Sequence, residues 1–104
     1  MGSYEPRLSK QALIVLDKFA ETPGKPLAGT DILKETGFMS GTLYPVLLRF
    51  ERAGWLSSEW EGVEPSEVGR PRKRLYRLTA HGARKAEEAF RDLGMSVGRL
   101  KWAY

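Results

Sequence analysis

The segment Ser40-Gly41-Thr42-Leu43-Tyr44-Pro45-Val46-Leu47-Leu48-Arg49-Phe50-Glu51-Arg52-Ala53-Gly54-Trp55-Leu56 reads as one short helix with two unlike faces. Leu43, Val46, Leu47 and Phe50 fall at i, i+3, i+4 and i+7, an apolar stripe that seeks a core. The opposite stripe carries Thr42, Pro45, Arg49 and Arg52. A cationic outer face with small residues at the entrance suits insertion into a nucleic-acid groove, where bulk at the helix start blocks approach to the bases. The same pattern also serves an ordinary surface helix. Pro45 has no N–H and clashes with the carbonyl four residues back, so the spacing puts the N-cap at Thr42, or at Ser40 with Gly41 easing a bend. Gly54 is the expected left-handed stop, and Trp55 starts an extended segment.

Upstream, Ser9 caps a predicted helix through Gln11, Leu13, Leu16 and Phe19, which ends at the break Thr22-Pro23-Gly24-Lys25-Pro26. The apolar run from Ala12 to Leu16 calls for burial on more than one side. A second helix is expected from Ala28 to Thr36 with Ile32 and Leu33 inward, closed by Gly37. Two short helices joined by a glycine-containing turn form a helix-turn-helix candidate, though helical hairpins with no DNA role share that outline.

Downstream, Leu56, Ser58 and Trp60 share one face of a predicted strand, and Arg74, Tyr76 and Leu78 share one face of another. Gly62 to Gly69 is expected to join them as a flexible acidic turn. Charge is sorted along this hairpin. Glu59, Glu61, Glu64 and Glu67 precede a block of Arg70, Arg72, Lys73, Arg74 and Arg77. Cross-strand charge pairing explains such a pattern, and so does contact with a polyanion.

Thr79 caps a last helix in which Ala83, Ala86, Phe90, Leu93, Val97, Leu100 and Tyr104 recur at steps of three and four, a seam for packing along another helix. The chain has little left to cover so long a seam, so Ala86, Phe90, Leu93, Val97 and Leu100 are the expected dimer contacts. Gly94 and Gly98 oppose a continuous helix by roughly 1 kcal/mol each relative to Ala. A helix ending near Leu93 is the alternative. Met95 and Trp102 lie off the seam, where they either pack on the first helix or line a slot for a small planar aromatic effector.

A chain of 104 residues with 41% hydrophobic content, 11% aromatic content and net charge +4 suits a single folded domain. No apolar run reaches the ~20 residues of a membrane span and no signal peptide is visible, so the expected setting is the cytoplasm. With one histidine and no cysteine, zinc sites and Cys- or His-based nucleophile systems have no parts, and neither an enzyme nor a cofactor is expected.

The order helix, helix, helix, strand, wing, strand, long helix resembles a winged helix-turn-helix, and the wording is similar to the PadR family of bacterial transcriptional regulators. Ser40 to Pro45 with Leu47, Glu51, Gly54 and Leu56 resembles that family's recognition-helix signature. Gly69-Arg70-Pro71-Arg72-Lys73, Tyr76-Arg77-Leu78-Thr79 and Gly82 resemble its wing and final-helix entry. The likeness covers roughly residues 12 to 93, while Thr30 stands where the family often has an aromatic residue and the wing loop is longer and more acidic.

The resemblance implies a mainly α protein with a small β-hairpin (α+β). Residues 1–79 would form the DNA-binding region and 80–104 the dimerisation helix of one compact domain. It implies contact with double-stranded DNA through Ser40, Thr42, Tyr44, Arg49, Arg70, Arg72, Lys73 and Arg74. A homodimeric repressor on a near-palindromic operator is then the expected function, released by a small apolar or aromatic effector. A winged-helix module that binds another protein is the alternative.

Overall fold

Ser9 opens the first helix as expected, its hydroxyl accepting the Ala12 N–H at 3.2 Å. The structure, a computed structural model, describes residues 5–94. Helix α1 (Lys10–Glu21) buries Ala12, Ile14, Val15, Leu16, Phe19 and Ala20, so the apolar run does place it in the middle of the molecule. Helix α2 (Gly29–Thr36) closes at Gly37, whose φ of 73° supplies the left-handed stop. Thr36 shapes the turn that follows: its hydroxyl donates to the Ile32 carbonyl at 2.7 Å and accepts the Phe38 N–H at 3.1 Å. That turn aims helix α3 (Ser40–Arg52), whose Leu43, Val46, Leu47 and Phe50 enter the core as the spacing predicts.

The start of α3 differs from expectation. Met39 holds the N-cap position with no side-chain bond, and its carbonyl accepts from the Thr42 and Leu43 N–H groups at 2.9 and 3.0 Å. Neither Ser40 nor Thr42 is the cap, and Pro45 sits one turn inside the helix. Solvent exposure of the first turn lets water satisfy its free backbone groups. At the other end Gly54 (φ 78°) donates to the Glu51 carbonyl at 3.0 Å, and Trp55 donates to Phe50 at 2.9 Å, the paired bonds of a glycine-terminated helix.

The sheet has three strands rather than the two expected. Strands β2 (Leu56–Trp60) and β3 (Arg74–Leu78) pair antiparallel with Leu56 opposite Leu78, Ser58 opposite Tyr76 and Trp60 opposite Arg74. The two faces predicted separately therefore meet, running from apolar core to cationic tip. A two-residue strand β1 (Leu27–Ala28) adds to the far side of β3, giving the order β1-β3-β2. Pro26 before it, unable to donate to a ladder, is the sequence mark of such an edge.

The acidic turn holds one short helix, α4 (Pro65–Val68), ended by Gly69 at φ 70°. Thr79 caps α5 (Ala80–Asp92), accepting the Gly82 N–H at 2.9 Å while its hydroxyl donates to Gly54 O at 2.6 Å.

Two of the expected dimer contacts pack within the protomer. Ala86 and Phe90 are each 1% exposed and belong to the core with α1, so their apolar surface is already used within the protomer. Among the described residues α5 ends at Asp92, with Leu93 at its C-cap and Gly94 at φ 69°, which matches the alternative of a helix ending near Leu93. Val97, Leu100, Met95 and Trp102 lie outside the described residues. No helix among the described residues is long and apolar enough to cross a membrane.

Candidate nucleic-acid interface

Because Met39 and not a hydroxyl side chain occupies the N-cap, Ser40 and Thr42 stand exposed on the first turn of α3 with hydroxyls not spent on capping. Tyr44, one turn on, lays its ring against the start of α2. A Cβ on Gly29 would lie 2.8 Å from that ring, so a larger residue there would require the Tyr44 side chain to shift. Arg49 and Arg52 continue the outer face; Arg49 is half-buried and Arg52 exposed.

The wing cations do not hang free in solvent. Arg70 grips both carboxylate oxygens of Glu61 at 2.7 and 3.1 Å, a bidentate pair. The Lys73 backbone N–H adds a third bond to Glu61 at 3.1 Å. The Arg70 bond first, and then that backbone bond, pull the Glu61 carboxyl down from 4.5 to about 2. Arg72 donates to the Val63 carbonyl at 2.8 Å and pairs with Glu64 at 3.2 Å, and Lys73 faces Asp31 of α2 at 3.5 Å. Arg74 instead donates to the Ser58 hydroxyl and stacks over the Trp60 ring, 5.0 Å from its centroid. Of the two explanations of the sorted charges, the pairing is what the structure shows: the acids order the loop that carries the cations. Arg77, on the opposite face, donates to the Gly24 carbonyl at 2.7 Å.

These elements enclose a cleft of about 600 Å³ between the start of α2, the first turns of α3 and the wing. Gly29, Thr30, Tyr44, Trp60, Tyr76 and the segment 70–74 line it. Burial, with the Glu51 carboxylate nearby, raises the Tyr76 phenol and keeps it neutral.

Of the residues singled out from sequence, Tyr44, Arg70, Arg72, Lys73 and Arg74 converge on this cleft. Ser40 and Thr42 lie on the exposed first turn of α3, and Arg49 lies further along the helix, outside the lining. Sequence reasoning missed Gly29, Ser58 and Trp60 as parts of the site. Trp60 left a signal: an aromatic residue at the tip end of a strand, in register with an arginine.

A three-helix unit with a braced cationic wing defines a winged helix-turn-helix. The model of the transcriptional regulator PadR-like family matches residues 13–88, and the chain belongs to that family. It is a transcriptional regulator and not an enzyme. No curated protein matches the chain. Among solved structures, it is similar to a PadR family transcriptional regulator from Eggerthella lenta, with 26% identity, TM-score 0.66, and coverage of 82% of this chain and 72% of the other. A Streptococcus mutans protein, smu.1704, is similar with 26% identity, TM-score 0.63 and coverage of 88% and 83%. A PadR-like transcription factor from Bacteroides fragilis follows with 27% identity, TM-score 0.57 and coverage of 81% and 86%.

Proposed function

We propose that this regulator is a homodimeric repressor acting in the cytoplasm on a near-palindromic operator. Ser40, Thr42 and Tyr44 would address base edges and sugars, while Arg49 and the wing cations Arg70, Arg72, Lys73 and Arg74 would address phosphates. The observation that carries this reading is the unspent polar first turn of α3 standing beside a cationic cleft. Side chains at the start of a groove-bound helix read bases, whereas flanking cations fix register on the backbone. Dimerisation is supported by Leu93, 53% exposed at the end of α5, with Val97 and Leu100 continuing its spacing in the sequence. The planar effector is an expectation of the sequence alone.

Selection of bound duplexes from a random-sequence pool tests the proposal. The expected result is enrichment of one two-fold symmetric motif with half-sites about one helical turn apart, and a changed motif for Ser40→Ala or Thr42→Ala. A pool without enrichment would contradict it and leave the protein-binding module as the better reading.

A further inference from the structure

Ser58 has one hydroxyl hydrogen and two lone pairs, and all three are used. It donates to Glu51 Oε2 at 2.6 Å and accepts from Arg74 Nε and Nη2 at 3.2 and 2.8 Å. The directions are fixed, since an ionised carboxylate only accepts and a guanidinium only donates. Glu51 lies in the last turn of α3, Ser58 on β2 and Arg74 at the start of β3, so one hydroxyl ties the DNA-facing helix to the wing. Trp60, opposite Arg74 in the ladder, holds the guanidinium by its face at 5.0 Å.

Held by edge and face, Arg74 has little rotamer freedom left to lose when a ligand arrives, which is the advantage of preorganisation. The two bonds to Ser58 use Nε and Nη2, and Nη1 is the end of the fork they leave over. The neighbouring cations differ. Arg70 is paired with Glu61, Arg72 with Glu64 and Lys73 with Asp31, so part of each charge is already answered by a carboxylate before a phosphate arrives. Arg74 shares only a neutral hydroxyl, with the carboxylate of Glu51 one bond further away.

We propose that Arg74 is the wing's principal phosphate contact, and that Ser58 and Glu51 are positioning residues that aim it into the cleft and fix it relative to α3. Arg70 and Arg72 then act first as braces of the wing. The inference rests on the DNA-binding reading above and assigns the labour within it.

The test is equilibrium binding of the full chain to mixed-sequence duplex DNA over a salt series, because a phosphate contact acts whatever the sequence. Ser58→Ala should weaken binding about tenfold, as expected for a lost charge-assisted hydrogen bond, and reduce the slope of log K against log salt by about 0.9 per protomer. Ser58→Thr should restore both, and Ser58→Ala should add nothing in an Arg74→Ala background. Arg74→Lys, which leaves Ser58 untouched and keeps the charge but not the planar fork, should also bind more weakly than the parent. Parent-like binding by Ser58→Ala, additive losses in the double variant, full affinity in Arg74→Lys, or a larger loss for Arg72→Ala than for Arg74→Ala would each overturn the assignment. If the parent binds duplex DNA and Ser40 and Thr42 variants change its preference while Ser58→Ala matches it, this inference alone fails. A parent that binds no duplex overturns it together with the DNA-binding reading.

Discussion

Gly82 is the position where a single methyl group has nowhere to go. A Cβ there would stand 2.1 Å from the Trp55 carbonyl oxygen and 2.7 and 2.8 Å from the Trp55 C and Cα atoms, backbone that Thr79 already pins through its bonds to Gly54 and Trp55. Gly82→Ala must therefore move α5 away from the helix stop at Gly54, at a cost of roughly 1–3 kcal/mol or more. Thermal unfolding should show it as a Tm lowered by about 4–8 °C for each kcal/mol. Gly41 is the contrast, with open space where its Cβ would be. Replacement of Gly41 by Ala should keep or raise Tm, since Ala is favoured over Gly within a helix by roughly 1 kcal/mol. Equal losses at the two glycines would refute the close approach at Gly82.

At the scale of the element, the wing is a loop cross-linked by charge. Glu61 joins Arg70 to the Lys73 backbone, and its carboxyl lies near 2 rather than 4.5. A lowered folded-state value means that Glu61 contributes fully above about 4.5 and that the contribution is lost as pH falls from there through about 2. Carbon-detected NMR of the Glu61 carboxyl should follow this, with the wing loosening only in that acid window. In Glu61→Gln the loosening should already be present at neutral pH. A Glu61 that titrates at 4.5 would contradict the brace.

The helices of this fold were largely legible in the sequence because each carries its own punctuation. Ser9 and Thr79 cap, Gly37 and Gly54 stop, and the stripe from Leu43 to Phe50 faces inward. The ordering of the wing was not legible, because an acidic loop and a basic strand look alike whether they pair or repel partners. Only the register that sets Trp60 against Arg74 and closes Glu61 on Arg70 decides it. The start of α3 was misread for a related reason. Cap preference favours Ser40 or Thr42 locally, but the Thr36-centred turn fixes where the chain enters the helix, and Met39 falls at the cap.

For the whole molecule, the core formed by α1, α3, α5 and the sheet consumes Ala86 and Phe90, so the proposed dimer would have to use other surface. Leu93, half-exposed at the end of α5, is the accessible probe. In a homodimer Leu93→Asp would bury a charge against the partner, which is strongly unfavourable without a counter-charge. Light scattering should give twice the chain mass for the parent and a lower mass for the variant. Because Leu93 lies outside the protomer core, the variant should unfold with nearly parental cooperativity. A monomeric parent at micromolar concentration would contradict the dimer.

If the cleft between α3 and the wing engages the phosphate backbone of duplex DNA as proposed, binding must weaken steeply with salt. Two protomers, each contributing at least two cationic contacts, should give log K falling with log salt at a slope of about −3.6 or steeper, at roughly 0.9 per neutralised phosphate. Affinity that stays flat across the salt series, or no binding to duplex DNA at low salt, would contradict the account.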